Sequence, residues 1–168
     1  KCSFNYAGNK AVVTISITLA DGAKLEVSMS AEEAGIIVNE NIFSIDGNDK
    51  PVRTAFYQRE DGMTAICLTP AGIDVFEGLE IVTYYAYIIL EDSQCHGKTL
   101  SVNDIVAAGY LDNVNSLVVD SNDTETTGIL NVLADQDDPA HFVVSADLNL
   151  GGSTLKLRFD GTAIDALV

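Results

Sequence analysis

The feature that most constrains this chain is a hydrophobic period of two. Val13, Ile15, Ile17 and Leu19 alternate with Thr14, Ser16 and Thr18, the pattern of a strand with one wet face. Asp21-Gly22 follows, a hairpin turn in which glycine supplies the positive φ. Leu25, Val27 and Met29 then alternate with Lys24, Glu26 and Ser28. The same grammar returns near the far end. There Phe142 to Leu150 leads through Gly151-Gly152 into Leu155, Leu157 and Phe159, spaced by Thr154, Lys156 and Arg158. The two hairpins overlay with a one-residue difference in the turn. Shared hairpin rules account for that likeness better than duplication does.

Between them, Asn41–Asp46, a Gly47-Asn48-Asp49 turn, and Val52–Glu60 after Pro51 read as strand, turn and strand. Pro51 suits a strand start, where a missing N–H costs little. Asp61-Gly62 is a further hairpin turn, into Met63–Leu68. Leu79–Leu90 is apolar on both alternating faces and rich in aromatic and β-branched residues, as expected of a central strand covered on both sides. Asn115–Asp120, Gly128–Ala134 and Ala140–Leu150 complete the strands.

Two segments break the pattern. Ser30-Ala31-Glu32-Glu33 before Gly35, and Ser101-Val102-Asn103-Asp104 before Gly109, carry the capping-box arrangement and predict short helical connectors. No Pro/Ser-rich linker divides the chain. The expectation is a single domain over residues 1–168, all-β and mostly antiparallel, sandwich-like or barrel-like, with two short helical connectors.

Charge excludes partners. Twenty-five Asp and Glu against nine Lys and Arg give a net charge of −16. Such a field repels phosphate backbones and anionic membrane surfaces, so no nucleic acid is expected. It favours cations and neutral or basic molecules. The longest apolar run, Leu79–Leu90, falls short of the roughly 18 residues a membrane-spanning helix needs. Neither a transmembrane segment nor a signal peptide is expected, although a start at Lys1-Cys2 suits a mature or trimmed chain.

Cys2, Cys67 and Cys95 form no CxxC pair. A hairpin over residues 70–78 would set Cys67 opposite about position 81 and leave Cys95 on the order of 45 Å further along an extended chain, so free thiols are expected. Cys2, Phe4 and Tyr6 alternate as in a strand, which makes Cys2 a half-buried thiol; the other role for Cys2 is as a lipidation site.

Candidate chemistry is sparse. Asp120, Asn122 and Asp123 in one stretch, and Asp135, Asp137 and Asp138 in another, are the oxygen ligands calcium would use. Neither stretch follows EF-hand order, and strand 128–134 would hold them roughly 20–25 Å apart. Solvated turns are the simpler expectation, with no cofactor. No G-x-S-x-G or H-E-x-x-H motif occurs, and Cys95-His96 are neighbours whose side chains face opposite ways in extended chain. No catalytic residue is assigned and no enzyme is expected. Trp is absent, and Tyr84 and Tyr87 fall on opposite faces of one strand, as core; Tyr57 and Tyr110 are the freer rings for stacking a sugar.

Three stretches carry a resemblance. They are Asn41-Ile-Phe-Ser-Ile-Asp-Gly-Asn-Asp-Lys-Pro-Val-Arg-Thr-Ala-Phe-Tyr57 with Glu60-Asp-Gly and Leu68-Thr-Pro, then His96-Gly-Lys-Thr-Leu, and the closing segment from Ala146 to Thr162. Together they resemble uncharacterised lipoprotein domains of gut Bacteroidetes. That resemblance implies export, attachment at the cell envelope and a β-sandwich-like fold, and it carries over no functional residue. The expected function is a non-enzymatic extracellular or envelope module that binds a glycan or protein partner, or is structural in a surface complex. The alternatives are a calcium-stabilised adhesin-like domain and a glycan-acting hydrolase.

Overall fold

In the computed structural model, residues 2–7, 10–18, 22–32, 38, 40–113, 115–120 and 126–167 are described. Within these, the side chains of residues 2–7, 10–16, 25–32 and 115–120 are left aside. The chain forms two compact units, residues 1–35 and residues 36–168.

The first unit is an antiparallel meander of β1 (Cys2–Ala7), β2 (Lys10–Thr18) and β3 (Lys24–Glu32). The β2–β3 hairpin is as expected, closing with Thr18 opposite Lys24, and Gly22 has φ 86°. Leu19, Ala20 and Asp21 lie outside the described residues. The capping-box segment differs from expectation. Ser30, Ala31 and Glu32 are the end of β3, paired with Val12, Ala11 and Lys10. Ladder bonds to β2 outweigh one local serine cap, whose propensity is a weak prior.

The second unit is a two-sheet sandwich with no closed barrel. One sheet contains β6 (Thr54–Glu60), β7 (Met63–Thr69), β8 (Tyr84–Glu91), β10 (Ala107–Asp112), β11 (Asn115–Asp120) and β15 (Ile164–Asp165), in the order β11-β10-β8-β7-β6-β15. The other contains β4 (Ile42–Ile45), β5 (Asn48–Pro51), β9 (Leu100–Ser101), β12 (Thr127–Ala134), β13 (His141–Leu150) and β14 (Ser153–Thr162), in the order β5-β4-β14-β13-β12-β9. All pairings are antiparallel except β15 on β6. Phe142, Val144, Ala146 and Leu148 of β13 join Leu157 and Phe159 of β14 and Ile66, Leu68, Ile88 and Leu90 of the facing sheet in one buried core. Burying the Val, Leu, Ile and Phe side chains among these contributes about 1.5–3 kcal/mol each relative to exposure.

Local turn chemistry sets the hairpins. Asp61 (φ 50°) with Gly62 (φ 78°) joins β6 to β7, and Gly151 (φ 56°) with Gly152 (φ 92°) joins β13 to β14. Two successive positive φ values match the twist of the flanking strands. The turn expected at Gly47-Asn48-Asp49 sits one residue earlier, at Asp46-Gly47, and Asn48 and Asp49 are already in β5. Pro51 closes β5 rather than starting a strand; β5 is an edge, where proline breaks no ladder.

The strand expected over Leu79–Leu90 begins only at Tyr84. It pairs with β7 only from Ala86, opposite Leu68, and with β10 only from Tyr84, opposite Asp112, so residues before Tyr84 have no ladder to join. Phe76–Ile81 instead forms a 3-10 helix, with Phe76 edge-on to Phe56 at 5.6 Å. The covering on both sides is therefore partial: Ala86, Ile88 and Leu90 are buried, while Tyr85, Tyr87 and Ile89 stay half-buried. Cys67 lies opposite Tyr87, not position 81, and Cys67 and Cys95 are free thiols.

The second connector is present. Ser101 caps a 3-10 turn at Val102–Asp104, its hydroxyl accepting from the Asn103 N–H while Asp104 accepts from the Ser101 N–H. It ends at Asp104; Gly109 is inside β10.

Candidate functional site

At one end of the sandwich three connections meet: the β6–β7 hairpin, the segment after β8, and the loop between β12 and β13. They enclose a cleft of about 300 Å³ lined by Arg59, Thr64, Asp92, Cys95, His96 and Asp135. Period two along β6 places Arg59 on the inner face with Ala55 and Tyr57, beyond the last core layer and opposite Thr64. Its guanidinium lies 5.3 Å from the Phe142 ring centre and 5.8 Å from that of Tyr57. Both distances fall within the roughly 6 Å of a cation–π contact, which attracts the charge without using the guanidinium's N–H donors.

The floor is preset. Thr64 is fully buried and donates its hydroxyl to Asp92 Oδ1 at 2.5 Å. Asp92 begins a 3-10 turn, Asp92–Gln94, and its N–H donates to the Gly62 carbonyl, tying that turn to the β6–β7 hairpin. The chain then runs along β12: the Gly97 N–H donates to Val132 O, and the Ala134 N–H to Cys95 O. This extended stretch sends Cys95 inward, buried, and leaves His96 exposed, as expected for neighbours. Burial pushes the Cys95 thiol up; the Thr64 hydroxyl pulls it back, Asp92 adds to the rise, and Arg59 opposes it. A thiol held protonated is a poor nucleophile.

The acidic candidates separate. Asp135 lines the cleft, but its Oδ1 accepts the N–H groups of Asp137 and Asp138, and Asp138 Oδ1 accepts that of Ala140. These carboxylates fold their own loop. Asp120 ends β11, opposite Ala107, while Asn122 and Asp123 lie outside the described residues. Among the described residues no three His, Cys, Asp or Glu side chains gather as a metal site would require. Cys2 opens β1 opposite Ile15, its side chain not described.

The aromatic candidates also divide. Tyr110 is 4 % exposed and belongs to the core, because its β10 position faces the opposite sheet; it offers no platform. Tyr57 is half-buried, with Phe142 5.4 Å away. His141 meets Asp160 at 3.1 Å. A wider depression of about 490 Å³ lies around Asp49, Asp147 and Lys156, but beside it Arg158 is already bonded to Asp147 and to the Ala146 and Leu157 carbonyls. The end cleft is the better candidate because its arginine is not so committed.

Arg59, Thr64 and Asp92 were not singled out from the sequence. The one available signal was a basic residue at an inward position of β6, two residues beyond Tyr57.

No helix among the described residues is long and apolar enough to cross a membrane. No protein-family model matches the chain, and no curated protein and no solved structure matches it either.

Proposed function

We propose that this chain is a non-catalytic binding module of the cell envelope or extracellular space, taking a small polar part of its partner, a saccharide unit or a peptide end, into the end cleft. The observation that carries the reading is the convergence of Arg59, Thr64, Asp92 and Asp135 on one concavity. A few convergent polar groups on a rigid frame fix a ligand's orientation. Asp92 and Asp135 each spend one oxygen on structure, which suits them as fixed acceptors. The compartment rests on the segment resemblance alone.

The test is a titration of isotope-labelled protein with saccharides and short peptides, followed by backbone amide signals. The expected result is saturable movement confined to residues 92–97 and 134–137. Binding that leaves these signals unmoved, or no binding across the panel, would overturn the assignment.

A further inference from the structure

The cleft supports a narrower statement, resting on the reading just given. Two of its features stand out in a chain of net charge −16. First, among the described residues none accepts a hydrogen bond or forms an ion pair with the Arg59 guanidinium; its partners are the rings of Phe142 and Tyr57. Arg158 shows the contrast, with its donors spent on two carbonyls and a carboxylate. Second, Asp92 and Asp135 line the same cleft without pairing to Arg59, each held by its own hydrogen bonds. A positive fork and two negative groups thus sit around a space whose volume, about 300 Å³, equals a sphere about 8 Å across.

We propose that the cleft takes a zwitterion, an α-amino acid in free form, with its carboxylate on the edge of Arg59 and its ammonium toward Asp92 and Asp135. The alternatives fit less well by charge. An acidic sugar satisfies Arg59 but adds a third negative group beside two carboxylates. A simple amine satisfies the acids and leaves the guanidinium donors unmet. A neutral sugar answers neither charge. Bidentate binding to a planar carboxylate is the geometry guanidinium favours. The volume lies at the lower end of small-molecule sites, suiting a ligand of this size.

The experiment is a titration of the full chain with alanine, serine and glutamine, against lactate, alaninamide, glucuronate and glucose. Amide signals of residues 92–97 and 134–137 report the site. At least one amino acid is expected to bind there at least tenfold more tightly than every comparison compound. Arg59→Gln and Asp92→Asn are each expected to weaken that binding at least tenfold. Asp92→Asn keeps an oxygen for Thr64, so it tests charge if Arg59→Gln disturbs packing. Lactate or alaninamide binding as well as the amino acids would overturn the proposal, as would unchanged affinity in Asp92→Asn or no site response to any amino acid. Saturable site shifts with glucose or glucuronate alone would overturn it too, while leaving the binding-module reading standing.

Discussion

The Thr64 hydroxyl, fully buried in β7, is bonded to Asp92 Oδ1 and so ties the central strand of one sheet to the turn that floors the cleft. A charge-assisted bond of this type contributes about 1.5–3 kcal/mol, less where the carboxylate can rehydrate. Asp92 is exposed, so Thr64→Val should cost about 1 kcal/mol. The measurement is a denaturant midpoint at unchanged slope. A larger functional effect is expected, since the Asp92 carboxylate loses its side-chain anchor while the turn keeps the backbone bond from the Asp92 N–H to the Gly62 carbonyl. If the midpoint and the amide signals of residues 92–97 both stay put, the bond does not organise the cleft.

The thiols give a pH dependence. Burial pushes Cys67 up to about 12 and raises Cys95 above its ordinary range. For a thiol, a raised folded pKa means that the folded chain keeps a proton the unfolded chain has lost. The contribution is whole below about pH 9 and disappears as pH rises through the folded value near 12. Unfolding free energy should therefore fall across that window, and Cys67→Ala should flatten part of the fall. In a Cys2→Ser background, a thiol reagent at pH 8 should label neither cysteine in the native state and both in denaturant. Rapid native labelling would contradict the burial of these groups.

What could be read in the sequence was what neighbours in the chain decide. Asp61-Gly62 and Gly151-Gly152 announce their hairpins because turn conformation depends on those residues alone. Ser101 announces its cap for the same reason. Ser30 carries an equally good signature, yet its segment is claimed by β2, a partner 18 residues away. Leu79 continues the apolar pattern of β8, yet β7 ends too soon to pair with it. The cleft was harder still. The acidity of Asp135–Asp138 was visible as composition, but Arg59, Thr64 and Asp92 meet only because three connections converge at one end of the sandwich.

Gly128 should be the least replaceable glycine among those described. It has φ 132°, and a Cβ there would stand 2.3 Å from the Asp147 carbonyl oxygen and 2.7 Å from Leu148 Cα. Both are backbone atoms of the paired β13 and cannot move aside without opening the ladder. Gly128→Ala should cost about 3 kcal/mol or more through combined strain and overpacking. Gly152→Ala, at φ 92° with open space around it, should cost only about 1 kcal/mol from the backbone term. Thermal unfolding of the two variants side by side checks the order. Equal losses would mean that β12 and β13 separate more easily at that end than their register implies.

Phe142 connects core to cleft. Its ring is fully buried, packs against Tyr57 across the sandwich, and underlies the guanidinium of Arg59. Phe142→Ala should destabilise by about 3–5 kcal/mol, the usual range for emptying a buried phenylalanine site. A gentler change separates packing from positioning: Phe142→Leu keeps the site apolar but removes the π system that attracts the guanidinium. The stability loss should then be smaller than for alanine, while ligand affinity at the cleft still falls, because a guanidinium without its aromatic contact samples more rotamers before it binds. Comparing unfolding midpoints with affinities in the two variants tests this. If affinity follows stability in proportion, the ring supports the fold alone; if Phe142→Leu loses affinity out of proportion to stability, the aromatic face positions Arg59.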